Sequence, residues 1–366
     1  SPASTVRENV APQGTDFGYF AGGVTPGVPA DAGASSVDRV DYSNDTATAS
    51  PKGPLSSTRQ KMGATGNASF GYFGGGNPGP VTTVDRIDYS NDTATASPKG
   101  PLSVASRSLA ATGNINFGYF AGGRIAAVPP ETSRVDRIDY SNDTATASPK
   151  GPLSAARGYG LQATGNQSFG YFGGGSSPAK STVERIDYGN DTATASPKGP
   201  LSSSRNYIAA TGNASFGYFG GGGSPTKTTV DRIDYSSDTG TAPAKGPLSV
   251  ARNLLAATGN TSFGYFGGGS PGKSLIDRVD YSNDTATASA KGPLTSYREG
   301  PTASSSRENA NPLKGPGNLE VPVLFGNVAN PLLDFGYFAN GSPGPGRMTT
   351  VDRIDYSNDT ATAEYK

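Results

Sequence analysis

Asp85-Arg86, Asp88 and Asp92 cluster in one short stretch, at a spacing that could ligate calcium or supply paired acid and base groups. The stretch is not unique. Asp38, Asp136, Glu184, Asp231, Asp277 and Asp352 occupy the place of Asp85 elsewhere, and each is followed by an arginine. A carboxylate that recurs with its own cation reads as a charge ladder, since a catalytic pair has no need of repetition. Outside these columns the clustered carboxylates are Glu299, Glu308 and Glu320. The chain has no histidine and no cysteine, which removes the usual neutral-pH general base, thiolate nucleophiles, disulfides and the commonest transition-metal ligands. No enzyme activity and no cofactor is expected. Three tyrosines, Tyr159, Tyr207 and Tyr297, stand close to Arg157, Arg205 and Arg298, a pairing suited to stacking on a sugar ring. Leu109 and Leu254 hold the equivalent place in other copies, so packing is the better account of Tyr159 and Tyr207.

The elements that must position these groups come from a repeat. Phe-Gly-Tyr-Phe begins at Phe17, Phe70, Phe117, Phe169, Phe216, Phe263 and Phe335, and a second string of the type Val-Asp-Arg-Ile-Asp-Tyr begins at Val37, Val84, Val135, Val183, Val230, Ile276 and Val351. Phe169, Phe216 and Phe263 stand 47 residues apart, a period typical of stacked or radially arranged units too small to bury their own apolar faces. One unit predicts four short strands: Leu109 to Thr112, the aromatic run at Phe117, Val135 to Tyr140, and Thr144 to Ala147. Asn114, Gly122-Gly123, Ser141-Asn142-Asp143 and Pro149-Lys150-Gly151-Pro152 supply the turns. Helical spacing is absent, and Gly or Pro interrupts every window. The expectation is therefore all-β: one seven-bladed β-propeller with four antiparallel strands per blade. Its blades would run approximately 4–55, 56–102, 103–153, 154–201, 202–248, 249–294 and 295–366. Each blade is expected to be continuous, the first with its own inner strand near Arg7 to Gln13, so that no strand is exchanged between the ends.

Composition narrows the function. Lys plus Arg and Asp plus Glu are equal at 30 each, so no basic excess exists to hold a nucleic-acid backbone. No apolar run reaches the roughly 20 residues that span a bilayer, and Ser1 to Gly14 shows no signal-peptide core. Asn-x-Ser/Thr sequons at Asn44, Asn91, Asn142 and Asn283 fall at one repeated turn, which explains them as turn residues more cheaply than as glycan acceptors.

The order Gly100-Pro101-Leu102, Arg107, Phe117 to Gly123 and Val135 to Tyr140 resembles the kelch repeat, without the tryptophan usual in its fourth strand. Kelch-type propellers include a copper radical oxidase, but its Tyr-Cys crosslink and His ligands have no counterpart in this chain. The strings FGYFGGG and VDRIDYSNDTATAS also resemble repeats in virion structural proteins of marine bacteriophages, cyanophages among them. That resemblance implies a tail, fibre or surface component. Its partners would be other virion proteins and a host-surface glycan or protein, and its location the virion. A secreted lectin-like propeller and a capsid decoration protein are the alternatives.

In a repeat protein, function is expected where copies differ. The loop after Gly-Gly has 7 residues in the second, fourth and fifth copies, but 13 in the first (Val24 to Ser36) and 11 in the third, from Arg124 to Arg134. The span from Arg298 to Phe335 is 37 residues where other copies use 10 to 12, which marks an insertion at about 299–325. Candidate binding residues are Arg124 and Arg134 in the third-copy loop and Tyr297, Arg298, Arg307, Leu313, Lys314 and Glu320 at the insertion. Within it, Glu320 to Phe325 is a candidate first strand for the last blade. Arg307-Glu308-Asn309 echoes Arg7-Glu8-Asn9.

Overall fold

In the repeated aromatic strand, alternation sends Tyr119 to one face and Gly118 and Phe120 to the other, and the strand turns off at Gly122-Gly123. The glycine in that string has a packing cause. A Cβ on Gly118 would stand 2.7 Å from both the Tyr140 hydroxyl and Thr65 Cγ2, so its absence lets one blade's tyrosine reach the preceding blade. The computed structural model describes residues 17–29, 32–126, 128 and 130–305, with the strands Phe335–Ala339, Val351–Asp355 and Glu364–Tyr365.

Six antiparallel sheets form one unit within Ser1–Pro316. Blade 2 shows the plan: inner strand Gly63–Gly66, then Phe70–Gly74, Val84–Asp88 and the outer Ser97–Pro98, in spatial order. Blades 3, 4 and 6 repeat it from Ala110–Gly113, Gln162–Gly165 and Ala256–Gly259. Blade 5 starts at Ala209–Gly212 and has only the Asp231–Ala244 bridge at its outer edge. The inner strands contact one another in a closed cycle, and six apolar clusters fill the gaps between successive blades. This is a six-bladed β-propeller.

The expected seventh blade is corrected by one strand. Thr302–Ser305, which follows the sixth blade, pairs antiparallel with Phe17–Ala21, placing Thr302 opposite Ala21 and Ser305 opposite Gly18. Blade 1 is thus Thr302–Ser305, Phe17–Ala21, Val37–Asp41 and Ser50–Lys52, and the ring closes by strand exchange. The residues expected to form the first copy's own inner strand lie outside the described ones, and its place is taken. The seventh copy forms a separate three-stranded sheet, Phe335–Ala339, Val351–Asp355 and Glu364–Tyr365, in a second unit, Gly317–Lys366. The outer strand also differs from expectation. Tyr140–Asn142 is a 3-10 turn capped by Asp139, which accepts from the Ser141 N–H, and this turn delays the fourth strand to Ser148–Lys150.

The repeated charges hold blades together. Tyr19, Tyr72, Tyr119, Tyr171, Tyr218 and Tyr265 each donate to an aspartate of the next blade, ending with Tyr265 to Asp45 of blade 1. An arginine and a lysine join each aspartate; at Asp92 these are Arg39 at 2.8 Å and Lys52 at 3.3 Å. Six stacked tyrosine pairs, one per interface, have ring centroids 4.5–4.9 Å apart, each worth about 0.5–1.5 kcal/mol beyond its buried area. The Thr-Ala-Thr-Ala segment is small because a glycine of the preceding blade lies against it: a Cβ on Gly292 would stand 1.8 Å from the Ala47 carbonyl oxygen.

Candidate functional site

All loops after Gly-Gly and all links between blades emerge on the face where inner strands begin, since the second strand ends and the third starts there. On this face an arginine enters five of the six blades. Arg59 forms a buried ion pair with Asp85 at 2.6 Å and donates to the carbonyls of Gly75 and Thr83. Asp85 also accepts from the Ser56 N–H and hydroxyl. Arg157, Arg205, Arg252 and Arg298 repeat the arrangement with Glu184, Asp231, Asp277 and Asp38. Burial pulls the Arg59, Arg205 and Arg252 guanidinium groups below their ordinary pKa, against the raising pull of the paired aspartates. These arginines anchor the links between blades.

Blade 3 departs from the pattern. Ser106, not Arg107, stands in the arginine column: its N–H bonds Val81 O, and its carbonyl accepts from Gly76, as the Arg59 carbonyl accepts from Gly23. The cation for Asp136 comes instead from Arg134, whose Nε lies 3.1 Å from Asp136 Oδ1 and 2.8 Å from Ser103 Oγ. Arg107 is displaced one position along the chain, onto the surface around the axis.

There the residue after the arginine column pairs through its backbone with the residue after Gly-Gly. The pairs are Glu299–Val24, Gln60–Asn77, Arg107–Arg124, Gly158–Ser176, Asn206–Gly223 and Asn253–Ser270. Next inward, Lys61, Ser108, Tyr159, Tyr207, Leu254 and Gly300 all have positive φ, from 50° to 63°. Their backbones run around the axis, with Ser108 N–H to Lys61 O at 2.8 Å, Leu254 to Tyr207 at 3.0 Å and Gly300 to Leu254 at 2.8 Å. Holding residues with side chains in this left-handed region costs on the order of 1–2 kcal/mol each. The axial cavity, lined by Met62, Leu109, Ile208 and Leu255 among others, has a volume of about 30 Å³, room for roughly one water. A larger ligand would rest on the mouth.

Blades 3 to 5 give that mouth its chemical character. The Arg124 guanidinium lies 4.3 Å from the centre of the Tyr159 ring, which meets Tyr207 edge-on at 6.4 Å. Arg107 donates to Asn77 Oδ1 at 2.9 Å. Burial, with the neighbouring Tyr159, pushes the Tyr207 phenol up, while Arg124 and Arg107 pull it back.

Of the candidate binding residues that the structure describes, Arg124 alone is on the mouth cluster. Arg134 and Arg298 are bound to Asp136 and Asp38, with Arg298 fully buried. Tyr297 is 37% exposed, its ring near Gly272. Arg307, Leu313, Lys314 and Glu320 lie outside the described residues. Tyr159 and Tyr207, read as packing, are half-buried at the mouth. Arg107 was missed as a site residue, though spacing marks it: it stands five residues before Thr112, while Arg59, Arg205 and Arg252 stand six before Thr65, Thr211 and Thr258.

The chain matches no protein-family model, and no curated protein is significantly similar to it. The fold and this geometry define its class as a β-propeller of repeated blades.

Proposed function

We propose that the protein is a non-enzymatic recognition component of a virion, a tail, fibre or surface element whose ring presents the axial mouth to a host surface. One observation carries this reading. The repeated charges are spent on holding the ring, while the departures from repetition at Arg107, Arg124, Tyr159 and Tyr207 meet at one place. Rigid blades below a variable mouth suit binding without chemistry. The kelch-like order of the unit and the phage-like strings supply the biological setting, with other virion proteins as further partners.

Immunogold microscopy of native particles, with an antibody raised against residues 17–305, tests the setting. Label at fibre tips or tail is expected. Intact particles without label would refute the virion assignment and leave a secreted lectin in its place.

A further inference from the structure

Among residues 17–305, every arginine except Arg107 and Arg124 forms an ion pair with a carboxylate. The two exceptions face each other across one backbone bridge, where their backbone N–H and C=O groups bond reciprocally at 3.0 and 2.8 Å. Like charges directly opposite in an antiparallel pair destabilise it. None of the other five equivalent pairs holds two cations. Fold explains why residues pair here; it does not explain two arginines.

The surroundings narrow what they meet. The Arg124 guanidinium lies on the Tyr159 face and forms no side-chain hydrogen bond among the described residues, and its Nε is buried and unsatisfied. Glu131 pairs with Arg124 through the backbone on its other side but forms no ion pair with it. Val128, in the same loop, is 94% exposed. Two guanidinium groups prefer an oxyanion, which they can hold through paired N–H donors. Tyrosine edges and exposed apolar carbon beside them suit a ligand with a weakly apolar body.

We infer that the mouth at Arg107, Arg124, Tyr159 and Tyr207 binds an acidic saccharide, its carboxylate or sulfate on the arginines and its ring against the tyrosines. The inference rests on the recognition reading above and names its ligand class. Both arginines are replaceable without loss of the fold, because other blades show what the positions accept: Gln60 stands in Arg107's place, and Ser176 and Ser270 in Arg124's.

The test is calorimetric titration of the full chain with hexagalacturonate, a chondroitin sulfate hexasaccharide, maltohexaose, hexaglutamate and inorganic phosphate. At least one acidic hexasaccharide is expected to bind, with carboxylated and sulfated probes showing which anion is preferred. The Arg107→Gln/Arg124→Ser variant should lose at least tenfold in affinity with its thermal unfolding unchanged. Equal binding by maltohexaose, hexaglutamate or phosphate would overturn the assignment, as would an unaffected double variant or no binding by either acidic saccharide. Failure here with positive immunogold label would remove the ligand and leave the virion reading standing.

Discussion

Cutting the chain after Gly300 removes Thr302–Ser305, whereas cutting after Pro316 keeps the whole first unit and removes the second. The first cut takes four register pairs from the edge of Phe17–Ala21 and four residues that are each at most 8% exposed. At a net value of about 1 kcal/mol per hydrogen bond, four lost bonds cost about 4 kcal/mol. Removing Ala303 also uncovers the apolar cluster it shares with Phe20, Val40 and Tyr265, adding about 1 kcal/mol or more. That total is comparable to the roughly 5–15 kcal/mol that separates a folded domain from its unfolded chain. The expected outcome is that residues 1–316 unfold cooperatively, by near-ultraviolet circular dichroism, at the midpoint shown by the same phase of the full chain. Residues 1–300 should lose most of that signal or unfold far lower. If 1–300 melts like 1–316, the exchanged strand does not close the ring. If 1–316 itself loses the cooperative transition, the seventh copy is a member of the ring after all.

Two further outcomes are expected. Ser304 stands where other inner strands carry threonine, whose methyl lies against a glycine, as Thr65 Cγ2 does at Gly118; Ser304→Thr should add about 0.8 kcal/mol for the extra buried methyl, read by urea unfolding. Asp45 and Asp191 resist the raising effect of burial because Tyr265 and Tyr119, with their lysine and arginine partners, hold them below the usual carboxylate range. A depressed folded-state pKa contributes stability that is present above the unfolded value, about 3.9, and lost as pH falls further, so unfolding midpoints should be flat near pH 6 and drop below about pH 4. A midpoint that rises on acidification through that range would refute the inter-blade role of these aspartates.

The second and third strands were legible because each repeated string carries its own pattern: aromatic alternation in Phe117–Ala121, buried Val135 and Ile138 in the third strand, and Gly-Gly to stop the second. The blade count was not, because a copy of the string is not a blade. Four strands make a blade, and the copies beginning at Phe17 and Phe335 lack the Ala-Thr-Gly-Asn that precedes Phe70, Phe117, Phe169, Phe216 and Phe263. That gap was visible and signalled that the first copy takes its inner strand from elsewhere. The echo of Arg7-Glu8-Asn9 at Arg307-Glu308-Asn309 points to the same junction, directly after the closing strand. The candidate site was legible only in part. Arg124 stood out by loop length, but its partner Arg107 looked like the repeated arginine until the fold set Ser106 in that column.

Blade 3 offers the sharpest test of this account, because its departures separate into two kinds. Ser106 and Arg134 are read as an exchange that keeps a cation on Asp136, and Arg107 and Arg124 as an addition that serves no ion pair. In blade 2 the residue equivalent to Arg134 is Thr83, so Arg134→Thr alone leaves Asp136, only 4% exposed, without its cation. Removing a charged hydrogen bond of this kind costs about 1.5–3 kcal/mol, and the lower end applies because the Arg134 side chain is 35% exposed. Ser106→Arg alone crowds a second guanidinium onto a carboxylate already paired. Made together, the changes recreate the arrangement of Arg59 and Asp85, so the double variant should be more stable than the sum of the singles by about 1–2 kcal/mol, within the range for directly coupled residues. Affinity at the mouth should be the same in all three variants, since Arg107 and Arg124 are untouched. Additive stabilities would show that Arg134 does not replace the missing arginine, and would return it to the candidates for binding.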